Sequence, residues 1–136
     1  MSDQGKPFVV VAYDGSEPAR AAVRYAAARA GSTGKVIIVH CFGLHSEHGQ
    51  AVLDDLMMTD AAVLADVNFE VELIGGSAAK TVNEVAEASN ADEIVVGTRG
   101  SGKVAALLGS VAQDVIRHAN RPVVVIPYNA VREAAS

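Results

Sequence analysis

At 136 residues, half of them hydrophobic and one fifth charged, the chain has the length of one globular domain and is too short for two. Its formal charge of -5, from 11 Lys and Arg against 16 Asp and Glu, offers no positive field to hold a nucleic-acid backbone, and no apolar run approaches the ~20 residues of a membrane span. No basic segment followed by an apolar core opens the chain, and its single cysteine, Cys41, cannot pair within it, so a soluble protein of the cytoplasm is expected.

With 4% aromatics and no Trp, the core must be filled by small and β-branched side chains, which suits helices layered on a Val-rich sheet. Phe8 to Tyr13 is a short apolar run closed by Asp14-Gly15-Ser16, a strand and a tight turn. Ser16 is placed to cap a helix whose first turn holds Pro18. Ala22, Val23, Ala26 and Ala30 form one stripe of that helix, and Gly31 marks its stop. Lys35 to Cys41 predicts a second buried strand, and Gly43 to Gly49 a polar stretch with His45 and His48. A helix is expected over about Gln50 to Leu64, with Met57 and Met58 as core filler. Val67 to Ile74 alternates apolar and acidic residues, the pattern of a strand near a sheet edge with one wetter face.

Gly75-Gly76 ends that strand, and Val82, Val85, Ala86 and Ser89 set the face of a helix over Ala78 to Ser89. Glu93 to Gly97 predicts a fourth strand running straight into a glycine-rich loop. Ser110 and Gln113 have the spacing of a capping box at the start of a last helix, with Val111, Val115 and Ala119 on its buried side. Arg121-Pro122 breaks it, and Val123 to Ile126 is a fifth strand. Strands alternating with helices predict right-handed crossovers and an α/β, doubly wound parallel sheet. Ligands of such sheets sit beyond the carboxyl ends of the strands, here Tyr13–Ser16, His40–Gly43, Gly75–Ser77 and Gly97–Ser110.

The richest of these segments is Gly97-Thr-Arg-Gly100-Ser-Gly102-Lys103, where glycines expose backbone N–H groups, followed by Gly109-Ser110 at a helix start whose amides and dipole favour phosphate. Each residue alone reads as turn or cap chemistry; the set together points to an anion or nucleotide site. The same stretch nearly spells a P-loop, but Val104 stands where the Mg²⁺-ligating Ser or Thr belongs. A weak nucleotide hydrolase built on it is the remote alternative.

From Phe8 to Pro127 the chain resembles the universal stress protein family. The resemblance rests on Val11-Ala12-Tyr13-Asp14-Gly15-Ser16, on Val39-His40-Cys41, and on Gly97-Thr98-Arg99-Gly100 followed by Gly109-Ser110, similar to the family's Gly-x-x-Gly, spacer, Gly-Ser or Gly-Thr signature. It implies a single Rossmann-like domain with sheet order 3-2-1-4-5 and ATP bound across strands one and four, with or without Mg²⁺. Ala12 and Asp14 would lie by the adenosine, the Asp14 carboxylate near the ribose, and Cys41 where main-chain groups meet adenine. Gly97 and Arg99 would line the ribose and phosphate path, and Gly100, Gly109, Ser110 and Val111 would serve the phosphates. A stress-response sensor is implied, with slow ATP hydrolysis at most and a homodimer formed through the edge strand Val123 to Ile126. The departures are a spacer of eight residues instead of nine, Ala112 where relatives often carry a hydroxyl, and a short segment from Gly43 to Val67. Members without the signature bind no ATP, which leaves a dimeric interaction module as the alternative.

The remaining polar residues have plainer readings. Asp14 before Gly15 is ordinary turn chemistry as well as a ribose ligand. His45-Ser-Glu-His48 lacks a third metal ligand and reads as a solvated loop. His40 reads as a hydrogen-bonded core or rim histidine, and Cys41 as an inert strand residue near the site.

Overall fold

A computed structural model of the chain describes residues 7–42, 46–98 and 108–127. Five strands, β1 (Phe8–Ala12), β2 (Lys35–Cys41), β3 (Phe69–Ile74), β4 (Glu93–Gly97) and β5 (Val123–Ile126), form one sheet of order β3-β2-β1-β4-β5. Every pairing is parallel, with Val10 opposite both Ile37 and Ile94. The expected doubly wound sheet and its strand order are thus both present.

Continuous apolar runs make the central strands because both of their faces are covered. Val9, Val11, Val36, Ile38 and Val95 pack on one side beneath α1 (Glu17–Ala30), α2 (Ser46–Thr59) and α3 (Ala61–Leu64). Val10, Ile37, Val39, Ile94 and Val96 pack on the other beneath α4 (Ala78–Ser89) and α5 (Ser110–His118). Each fully buried Val or Ile contributes roughly 1.5–3 kcal/mol of transfer free energy, so the sheet is the main source of stability.

Ser16 caps α1 by accepting from the Ala19 N–H at 3.3 Å, and Gly31 ends it at φ 64°, a conformation that favours glycine. Asn90 ends α4 in the same left-handed region. Arg121 then donates to the Ala86 and Ala91 carbonyls at 2.9 and 2.7 Å, tying the chain before β5 to the end of α4.

Several expectations are corrected. The helix expected from Gln50 to Leu64 starts at Ser46 and is broken at Asp60, whose φ of -118° leaves the helical region where its buried carboxylate meets Arg24 at 3.4 Å. β3 begins at Phe69, because the Val67 N–H still bonds back to Leu64 and belongs to the turn after α3. Met58 is 84% exposed while Met57 packs on the core, since neighbouring residues on a helix point about 100° apart. β3 lies at the sheet edge as its alternation predicts, with Glu70 paired to Lys35 on its wetter face. No helix among the described residues is long and apolar enough to cross a membrane.

Candidate functional site

β1 leads through α1 to β2 on one side, and β4 leads through α5 to β5 on the other, so the chain diverges between the carboxyl ends of β1 and β4. A crevice must open where crossovers part in this way. It is present as a cleft of about 280 Å³, near the lower end of ligand pockets at ~300–1,000 Å³.

One wall is apolar. Ala12, Val39, Cys41 and Val96 come from the ends of β1, β2 and β4, and Ala78 and Val82 from the start of α4. The start of α5, from Gly109 to Ala112, lines the same cleft, as do Tyr13, Asp14 and Ser16 of the turn after β1. Of the residues the sequence singles out, Ala12, Asp14, Cys41, Gly97, Gly109, Ser110 and Val111 all line this cleft. Arg99, Gly100, Lys103 and His45 lie outside the described residues. The sequence reasoning misses the apolar wall of Val39, Ala78, Val82 and Val96. Strand register held that signal, since Val39 pairs with Ala12 and Gly97 follows Val96 at the same level. Gly75 and Gly76 do not reach the cleft; Ser77 instead caps α4, at 3.5 Å from the Lys80 N–H.

The start of α5 differs from the reading of Ser110 and Gln113 as a capping box. Gly109 is the N-cap, extended at φ -70° and ψ 166°, and its N–H donates to the Thr98 carbonyl at 2.6 Å. That bond holds residue 109 against the end of β4 as the cap, so the helix begins one residue earlier than a Ser110 cap would start it. Ser110 is then the first helical residue, and the Gln113 side chain donates to the Leu108 carbonyl at 2.9 Å instead. Among the described residues no side chain caps α5, so the amides of Ser110, Val111 and Ala112, which no earlier turn of helix can satisfy, are left without a cap at residues that line the cleft. Val111, expected on the buried face, is 42% exposed in this lining, and Ala112 is buried in its place. By contrast α1, which also faces the cleft, has its start closed by Ser16.

At the rim, Asp14 Oδ1 accepts from the Ser16 N–H at 3.0 Å, the turn bond its sequence position predicts, while Oδ2 has no partner among the described residues. Gly15 follows at φ 84°, where a side chain is strained. Gly97 is fixed by packing, since a Cβ there would lie 2.7 Å from Pro18 Cβ. Burial pushes the Cys41 thiol above its ordinary range, partly offset by a hydrogen bond with Thr81. Burial likewise raises the Tyr13 phenol, against the lowering effect of the Arg20 charge. His40 is buried, with its Nδ1 2.7 Å from the Tyr13 carbonyl, in keeping with the core or rim histidine the sequence predicts. Among the described residues no group of three His, Cys, Asp or Glu side chains is placed to hold a metal ion.

The cleft therefore joins an apolar slot, a carboxylate with a free oxygen and a set of open amides. Comparison with known proteins gives this arrangement a family. The model of the universal stress protein family matches residues 8–127. The Thermus aquaticus protein named "Universal stress protein in QAH/OAS sulfhydrylase 3'region" is 31% identical over 132 residues, covering 87% of this chain and 96% of that one. Universal stress protein G of Shigella flexneri is 51% identical over 51 residues, a match spanning 38% of this chain and only 36% of that relative's length. Among solved structures, a universal stress protein in complex with cAMP superposes with a TM-score of 0.73 at 28% identity, over 89% of this chain and 96% of that one. The chain belongs to the universal stress protein family.

Proposed function

We propose that this chain is an adenine-nucleotide-binding regulator of stress responses, a single domain that works in the cytoplasm and takes its nucleotide in the cleft between β1 and β4. The observation that carries the reading is the meeting of apolar residues and an uncapped helix start in the lining of one cleft. Adenine fits between Ala12, Val39, Cys41 and Val82. The ribose meets Asp14, whose free Oδ2 accepts from a hydroxyl. Phosphate oxygens take the amides of Ser110, Val111 and Ala112, where the helix dipole adds a favourable field. Gly97 shapes the passage between and Gly109 extends it towards the phosphates, while Arg99 and Gly100, outside the described residues, are assigned to the phosphates by the glycine signature alone.

ATP is the nucleotide to which the glycine signature points, with Mg²⁺ carried on its phosphates. A relative solved with cAMP supports the wider class of adenine nucleotides. Among the described residues the cleft lining holds one carboxylate, Asp14, and neither His nor Lys, and binding and release instead of turnover is the reading we propose. Two chains pair through the open edge of β5, giving a dimeric sensor. One observation favours a second reading, in which the chain is an interaction module without nucleotide: Gly97 and Asp14 each have a complete local explanation, in packing and in turn chemistry.

Calorimetric titration of nucleotide-stripped protein with ATP and Mg²⁺, with cAMP and with GTP separates the two. Micromolar binding of the adenine ligands is expected, weakened roughly tenfold in Asp14→Ala by loss of a charge-assisted hydrogen bond. Absence of heat and of competition at high protein concentration would sink the nucleotide reading in favour of the interaction module.

A further inference from the structure

Tyr13 stands between the cleft-lining Ala12 and Asp14, and its backbone is held on both sides. Its N–H donates to the Val39 carbonyl at 2.8 Å, and its carbonyl lies 2.7 Å from His40 Nδ1. A carbonyl oxygen only accepts, so Nδ1 carries the proton and donates. The imidazole is 7% exposed and lies against α2, where a Cβ at Gly49 would stand 3.3 Å from its Cδ2 and 2.9 Å from Phe42 Cβ. Glycine at 49 therefore lets α2 seat on the ring and keep it in place. Downstream of Asp14 the turn passes through Gly15 at φ 84° and is held by the Ser16 N–H donating to Asp14 Oδ1 at 3.0 Å, so the Tyr13 peptide anchors the turn on one side and Ser16 on the other.

We propose that His40 is a positioning residue for ribose recognition: by donating to the Tyr13 carbonyl it fixes the peptide joining Tyr13 to Asp14 and so aims the Asp14 carboxylate at the ribose hydroxyls. The inference rests on the nucleotide reading of the cleft. It gives the buried histidine a task that core packing alone does not require, because a hydrocarbon of similar shape would fill the same space.

The test is the preference for ATP over 2′,3′-dideoxy-ATP, measured by calorimetry, since that ratio reads only the hydroxyl contacts. Wild-type protein is expected to prefer ATP about tenfold, and His40→Phe, which keeps a ring but no donor, to prefer it no more than about twofold with dideoxy-ATP affinity unchanged. If His40→Phe loses its helical circular dichroism, His40→Asn and His40→Gln replace it. The Asn amide nitrogen takes the place of Nδ1 and retains the preference, whereas the Gln amide reaches past that place and loses it. A folded His40→Phe with the wild-type ratio, equal ratios in the Asn and Gln variants, or a wild type that binds both ligands equally would overturn the role of His40 and leave the nucleotide site standing. Wild-type protein that binds neither ligand overturns the nucleotide reading itself, and this inference with it.

Discussion

Gly97 ends β4 against α1 with no room for a methyl group, since a Cβ there would meet Pro18 Cβ at 2.7 Å and the Pro18 carbonyl carbon at 3.0 Å. Both neighbours are stiff, one a proline ring and the other backbone, so Gly97→Ala must part strand from helix. We expect a loss of about 2 kcal/mol, within the ~1–3 kcal/mol of overpacked cores, read as a melting temperature lower by roughly 6–10 °C. An unchanged melting temperature would mean that α1 shifts without cost. The glycine itself was legible in the sequence, where it reads as a place for a ligand to approach. Its partner was not, because Pro18 lies far away in the chain and only the β1–β4 pairing brings the two together. Asp14 is the reverse case: its turn bond to Ser16 follows from local spacing, and its place on the cleft rim follows from the end of β1.

Among the elements, α1 was readable from sequence at both ends, because Ser16 and Gly31 act within a few residues of where they stand; α4 has the bounds its periodicity gave, and its caps Ser77 and Asn90 are seen only in the structure. The break at Asp60 and the start of α5 were not, since each is set by a partner from elsewhere, Arg24 in one case and the Thr98 carbonyl in the other. The α5 start yields a prediction that separates binding from folding. At φ -70° Gly109 is in a conformation open to any residue, so backbone geometry does not require glycine there. An Asp at the N-cap accepts from the amides two and three residues on and complements the dipole. Gly109→Asp should therefore melt at the wild-type temperature or a few degrees above it, while nucleotide binding falls at least tenfold because the carboxylate occupies and repels the phosphate position. A variant that melts much lower, or one that binds nucleotide normally, would show that the open amides are not where phosphate sits. Thermal melting and calorimetry on the same preparation decide it.

For the whole molecule, the Val-rich runs and the alternation of strand and helix were enough to give a doubly wound parallel sheet, and family resemblance supplied its strand order. The two edges that this order creates are unlike. β3 carries Glu70 and Glu72, charges of the kind that keep an edge from recruiting another strand. β5 is Val-Val-Val-Ile, with its three valines only partly buried, and the two helices that pack beside it, α1 and α5, expose Tyr25 and Ile116. The ladder to β4 runs through the Pro122 carbonyl, which accepts from Ile94, and the Ile126 carbonyl, which accepts from Thr98. Because strand residues alternate in direction, Val124 also faces β4, while Val123 and Val125 turn their N–H and C=O groups to the open edge. Among the described residues that edge is uncharged and unpaired, which is what the proposed pairing with a second copy of the chain requires. Val125→Pro removes one outward donor and sets a ring in the partner's path without breaking a bond to β4. In sedimentation equilibrium the wild type should show about twice the 14.0 kDa chain mass, and Val125→Pro a single chain mass with its circular dichroism intact. A wild type that stays monomeric across working concentrations would mean that Pro122, Pro127 and the chain beyond them protect β5, and the dimer would have to be abandoned.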